Sequence, residues 1–136
     1  MAIEYKTGES FPPLEKPPIT REQLVRFAGA SGDFNPLHYD DSIGKKAGTG
    51  GVIAHGMLVM GMVGEAVNRW VPRKSLKKLS VRFKGMTYPG DVITISSKIV
   101  GVDQRETGVY LKCEVTAADQ AGKVKIGGYF EALVQN

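Results

Sequence analysis

Two periods of apolar residues divide the chain. Between His55 and Val71, in HGMLVMGMVGEAVNRWV, apolar side chains fall on nearly every side of a helix, which predicts a helix buried in the core. Pro72 stops it, and Gly61 and Gly64 are expected to let neighbouring backbone approach closely. From Ser75 the period changes to two: Leu79, Val81 and Phe83 alternate with Lys78, Ser80, Arg82 and Lys84, a half-buried strand. Pro89 to Asp91, Glu106 to Gly108 and Asp119 to Gly122 supply turns before VITISSKIVGV, VYLKCEVTA and KVKIGGYFEALV. Four consecutive strands after one long helix predict an α+β plan, a meandering antiparallel sheet wrapped around that helix. One helix leaves an edge or face of such a sheet uncovered, so a dimer is expected.

Ahead of the long helix the pattern is more broken. Prolines at 12, 13, 17 and 18 make an extended lead-in. Thr20 followed by Gln23 is a capping-box pattern, and Leu24, Phe27 and Ala28 then repeat at helical spacing, so a short helix is expected to end near Gly29 to Gly32. Beyond His38, Asp41 or Ser42 is expected to cap a single helical turn, broken by glycines at 48, 50 and 51.

Bulk composition narrows the class without naming a function. At 136 residues the chain is expected to form one domain, residues 1–136. Hydrophobic content of 42% and charged content of 24% are those of a folded globular protein. MAIEYKTGES lacks the basic segment and apolar stretch of a leader, and no run approaches the about 20 apolar residues of a membrane span; a cytoplasmic location is expected. Cys113 is the one cysteine, in a strand-like stretch, and reads as a buried thiol rather than a nucleophile. The net charge of +4 suits an anionic partner such as a phosphorylated carrier, but the basic residues are dispersed and not interleaved with aromatics, so nucleic acid is not expected.

The candidate chemistry lies in SGDFNPLH, Ser31 to His38, and at the head of the long helix. Taken alone, Asp33, Asn35 and Pro36 make a good turn. His55 and Gly56 alter the balance, because a helix N-terminus offers free N–H groups and a dipole able to hold negative charge developing on a carbonyl oxygen. A carboxylate and an imidazole holding a water, opposite such a terminus, would form a site for adding water to a conjugated carbonyl compound.

GDFNPLH, the following YDD and the IAHGML segment together resemble the MaoC-like (R)-specific enoyl-CoA hydratases and the related β-hydroxyacyl dehydratase subunits. The resemblance runs from YKTGE through the strands. It implies the hot-dog fold, an antiparallel sheet around a long central helix, working as a homodimer or larger assembly, or as a heterodimer with a related subunit. It implies an (R)-specific hydratase or dehydratase of fatty-acid metabolism acting on CoA or acyl-carrier thioesters, with no metal and no cofactor beyond the phosphopantetheine of the substrate. Asp33 and His38 then match the catalytic pair that shares the water, and Gly56 matches the amide that meets the thioester oxygen. Asn35 supports the loop, and His55 supports it by packing and loop bonding. Two departures from the family pattern stand out: Gly44 where many relatives carry alanine, expected to be mild, and Gly61 where better-known hydratases carry serine.

Rival readings are fewer and weaker. GKKAGTGGV lacks the spacing of a phosphate loop. A metal site from Asp33, His38, Asp40, Asp41 and His55 has no recognised ligand spacing. A hot-dog thioesterase would use a carboxylate on the same kind of substrate, and a non-catalytic or partner-dependent subunit of a heteromeric dehydratase would keep the pocket without turnover.

Overall fold

The computed structural model describes residues 4–135; the first three residues of the segment read for a leader lie outside them. A short strand β1 (Leu14–Glu15) precedes helix α1 (Arg21–Ser31), a 3-10 turn at Pro36–His38, helix α2 (Asp41–Ala47) and the central helix α3 (Gly56–Trp70). Four longer strands follow: β2 (Leu76–Phe83), β3 (Thr94–Arg105), β4 (Gly108–Ala118) and β5 (Val124–Gln135). They form one antiparallel sheet in the order β1-β3-β4-β5-β2.

The alternation in the strands decides which face meets α3. Ile95 and Ile99 of β3, Leu111, Cys113, Val115 and Ala117 of β4, and Ile126, Phe130 and Ala132 of β5 are all buried. They pack with Val59, Met62, Val63, Ala66 and Val67 of α3 in one core. Ser97 sits among the inward residues of β3 because its hydroxyl donates to the Glu114 carbonyl, 2.6 Å away. The proline-flanked lead-in closes the far end of the helix. Trp70 stacks on Phe11 and donates its indole N–H to the Pro12 carbonyl at 2.7 Å, and Lys16 pairs with Glu65 at 2.7 Å.

Three expectations need correction. The strands are not a simple meander: β3, β4 and β5 are, but β2 joins β5 at the far side, with Leu79 opposite Phe130. The Pro89–Asp91 turn therefore belongs to a crossover over the end of the sheet, not to a hairpin. The cap of α2 is Asp40, whose carboxylate accepts from the Ser42 N–H at 2.9 Å, and the helix runs for seven residues rather than one turn. Third, α3 is not enclosed on every side: Met57 is 62% exposed, and among the described residues nothing outside the helix's own backbone and the adjoining residues lies within 4 Å of where a Cβ would sit on Gly61 or Gly64. That face is open.

Candidate active site

The site loop is built by ordinary local chemistry. Thr20 caps α1 by accepting from the Gln23 N–H at 3.1 Å, and Gly32 ends the helix with a φ of 76°, a left-handed conformation that glycine adopts freely. The chain then turns sharply through Asp33. Its Oδ1 accepts from the Asn35 N–H at 3.2 Å, and Asn35 in turn caps the Pro36–His38 turn by accepting from the Leu37 N–H at 3.0 Å. Asn35 thus shapes the loop that carries the acid and the imidazole.

The segment before α3 is laced to that loop. The Ile53 N–H donates to the Leu37 carbonyl at 3.0 Å, and the Ile53 carbonyl lies 2.8 Å from Nδ1 of His38. A carbonyl only accepts, so Nδ1 carries the proton and neutral His38 keeps a lone pair on Nε2. That Nε2 faces Asp33 Oδ2 across 3.7 Å. The separation is too long for a direct hydrogen bond, and it is short enough for one water, lying to the side about 2.8 Å from each atom, to touch both. The Asp33 side chain is 52% exposed, open to solvent and ligand, while that of His38 is nearly buried at 11%.

His55 joins the loop to the helix. Its ring is buried, stacks on His38 with centroids 3.7 Å apart, and takes the edge of Phe27 on its other side. Nε2 donates to the Asp33 carbonyl at 3.1 Å. Burial, reinforced by the neighbouring His38, holds the His55 imidazole below its ordinary pKa against the opposing pull of the Asp33 carbonyl. The next residue, Gly56, opens α3. Its N–H has no acceptor among the described residues, as expected for the first turn of a helix. A Cβ there would press to 3.0 Å from the Phe83 ring, so glycine keeps the approach to this amide open.

The five residues singled out in the sequence therefore converge, and Asp40 and Asp41 do not join them. Asp40 caps α2, and Asp41 accepts from the Val52 N–H and from Arg21. Ligand atoms of Asp33, His38 and His55 come within 4.8 Å of one another, but Nδ1 of His38 and Nε2 of His55 are already committed to carbonyls.

The family model described as the MaoC like domain matches residues 4–121. The chain belongs to the MaoC-like domain family. An (R)-specific enoyl-CoA hydratase of Rhodospirillum rubrum is 28% identical over 118 residues, 85% of this MaoC-like chain and 80% of that protein. The mitochondrial 3-hydroxyacyl-[acyl-carrier-protein] dehydratase of Arabidopsis thaliana is 35% identical over 75 residues, 55% of this chain. The chain spans less than half the length of several curated relatives it matches, 45% in the Arabidopsis case. The solved (R)-hydratase of A. caviae superposes with a TM-score of 0.83 at 22% identity, covering 98% of this chain and 99% of that one; the fold is the hot-dog fold.

The two departures from the family pattern have physical readings. Gly44 is not a mild exchange in this MaoC-like chain, because a Cβ there would run into the Gly51 carbonyl; α2 and the 49–51 turn touch backbone to backbone. Gly61 stands in open space on an exposed part of α3, where a serine side chain would fit. Sequence reasoning missed the Ile53 carbonyl that fixes the His38 tautomer, since a backbone acceptor leaves no mark in residue type.

Proposed function

We propose that this chain interconverts trans-2-enoyl and (R)-3-hydroxyacyl thioesters by adding or removing water. The observation that carries the reading is the 3.7 Å gap between Asp33 Oδ2 and the lone-pair nitrogen of His38, on a loop that His55 ties to the first amide of α3. The Gly56 N–H donates to the thioester oxygen and stabilises its growing negative charge, helped by the dipole of a 15-residue helix. That draws electrons from the double bond. The Asp33–His38 pair takes a proton from the bridging water as its oxygen bonds to the β-carbon, and the α-carbon takes up a proton to complete the addition. Both groups lie on one loop, so both protons move on one face of the substrate.

The acid, the imidazole and the helix amide supply all the proton transfer and charge stabilisation this chemistry needs, so the reading includes no metal and no cofactor beyond the substrate's phosphopantetheine. The working unit is a homodimer. Strand β2 offers an unpaired edge, and Phe34, Tyr39, Met57, Phe83 and Met86 near the site are each more than half exposed. Among the described residues no helix is long and apolar enough to cross a membrane, and the reading places the protein in the cytoplasm, where its lone cysteine stays reduced.

The test is turnover of crotonyl-CoA by the purified chain, with and without a chelator. Loss of the enoyl absorbance with formation of the (R)-alcohol, no free thiol and no chelator effect supports the reading. Thiol release would replace it with hydrolysis. Activity only after a related subunit is added would replace the homodimer with a heteromer.

A further inference from the structure

A cavity of about 160 Å³ opens beside the first turn of α3. Gly56 and Val59 form one wall, Phe83 another, and Met86 and Thr87 of the crossover between β2 and β3 a third, with Lys125 among the lining residues. Larger depressions, two of 310 Å³ lined by residues such as Ser10 and Ser96 or Thr20 and Arg26 and one of 360 Å³ lined by residues such as Arg82 and Tyr129, do not reach Gly56.

Lys125 is out of place by composition. Its side chain is 4% exposed, at the irregularity where β5 slips register against β4, beside the inward-facing Ile126. Its Nζ donates to the Met86 carbonyl and pairs with Asp119 Oδ2 at 3.3 Å. Asp119, itself 9% exposed, is fixed by the Ala121 and Lys123 N–H groups, each 2.9 Å from Oδ1. A second tie from the same turn holds the other end of the crossover: Gln120 accepts from the Val92 N–H at 3.0 Å and donates to Asp91 at 3.2 Å. The crossover in turn meets the site, because the Thr87 carbonyl accepts from the Ala54 N–H at 2.7 Å, two residues before Gly56.

Burying an ammonium costs free energy unless it is paired and fully bonded, and leaving either partner alone costs more. An ion pair in this position is therefore a strong restraint on whatever it holds, and it holds Met86, a wall of the cavity. The volume has a physical scale: a cavity of about 150 Å³ accommodates benzene, six carbons. We propose that the cavity takes the acyl tail of the thioester, and that Lys125, locked by Asp119, is a positioning residue that fixes its crossover wall and so limits the tail to about six carbons. The orientation of the thioester, carbonyl on Gly56 and tail in the cavity, rests on the hydratase reading.

The test is calorimetric binding of saturated butyryl-, hexanoyl-, octanoyl- and decanoyl-CoA, which cannot be hydrated, to the whole chain and to Lys125→Met, Lys125→Arg and Asp119→Asn. In the parent, affinity should rise to hexanoyl-CoA and fall at least ~10-fold by decanoyl-CoA. Lys125→Met should shrink that penalty below ~3-fold, Asp119→Asn should relieve part of it, and Lys125→Arg should keep it. A purely structural lysine would lower the melting temperature and leave the ratio between chain lengths unchanged, which overturns the proposal. Affinity that keeps rising through decanoyl-CoA in the parent overturns it too, even if Lys125→Met does not fold. Turnover of crotonyl-CoA measured alongside separates the two readings. Length-selective binding without turnover sinks the hydratase and leaves the cavity, and turnover without length selection does the reverse.

Discussion

Asp33→Asn separates chemistry from folding. Asparagine has the same shape and keeps an oxygen to accept from the Asn35 N–H, now 3.2 Å from Oδ1, so the turn survives. The side chain is half exposed and lies 3.7 Å from His38, beyond a direct bond, so the loss of stability should stay under about 0.5 kcal/mol. For a chain of this size that is a shift of about 2 °C in melting temperature. Catalysis should suffer far more. The amide cannot take a proton from water, and its NH₂ can donate to Nε2 of His38, masking the lone pair as well. Removing a general base costs ~100-fold or more in kcat, at least about 2.7 kcal/mol in the barrier. The assay follows enoyl-CoA absorbance at saturating substrate for parent and variant, with thermal melts on the same samples. A folded variant that turns over within ~3-fold of the parent would refute the role given to Asp33.

Three further outcomes follow from the geometry. His55 is held below its ordinary pKa, so its contribution to stability is complete above about pH 6.5 and is lost as pH falls through the lower native value, because the unfolded chain takes up a proton the folded one refuses. Urea midpoints should therefore fall from about pH 7.5 to pH 5 in the parent and flatten in His55→Gln; equal slopes would show that His55 is not the group. Gly44→Ala should cost about 1–3 kcal/mol in denaturant unfolding, whereas Gly29→Ala, on the exposed side of α1 with nothing within 4 Å, should gain about 0.5–1 kcal/mol. Alanine tolerated equally at both positions would mean that the 49–51 turn can move away. Cys113 is fully buried in the core and burial pushes its thiol up to about 12, so iodoacetamide should label it only after unfolding; rapid labelling of the native protein would contradict the packing.

Much of this molecule was legible in residue order. The all-round apolar character of α3, the Thr20–Gln23 start of α1 and the alternation in β3, β4 and β5 are local properties, and each emerged where its pattern lay. The placement of β2 was not legible, because alternation records which face is buried and says nothing about which strand lies alongside. At the start of α2, Asp40, Asp41 and Ser42 can all cap; the choice falls to Asp40 because Asp41 is drawn away by Arg21 and the Val52 N–H. Asp33 and His38 alone read as part of a turn, and it was the resemblance of GDFNPLH and IAHGML to the MaoC-like family that marked them as a catalytic pair. Lys125 was not marked, because a lysine in a strand ordinarily points to water, and only the crossover folded over it buries it.

The order of the strands also sets an order of events during synthesis. Asp33, His38 and the first amide of α3 precede the sheet in the chain, yet β2 must wait for β5, the last of the described strands, before its inner edge has a partner. Until then the nascent chain carries a long amphipathic ribbon and an apolar helix with no cover, the situation in which chaperones engage and sequence-distant pairings limit the rate of folding. Loss of Val124–Gln135 would take away an internal strand of the sheet rather than fray a tail. A short C-terminal truncation is therefore expected to be far more damaging than its length suggests.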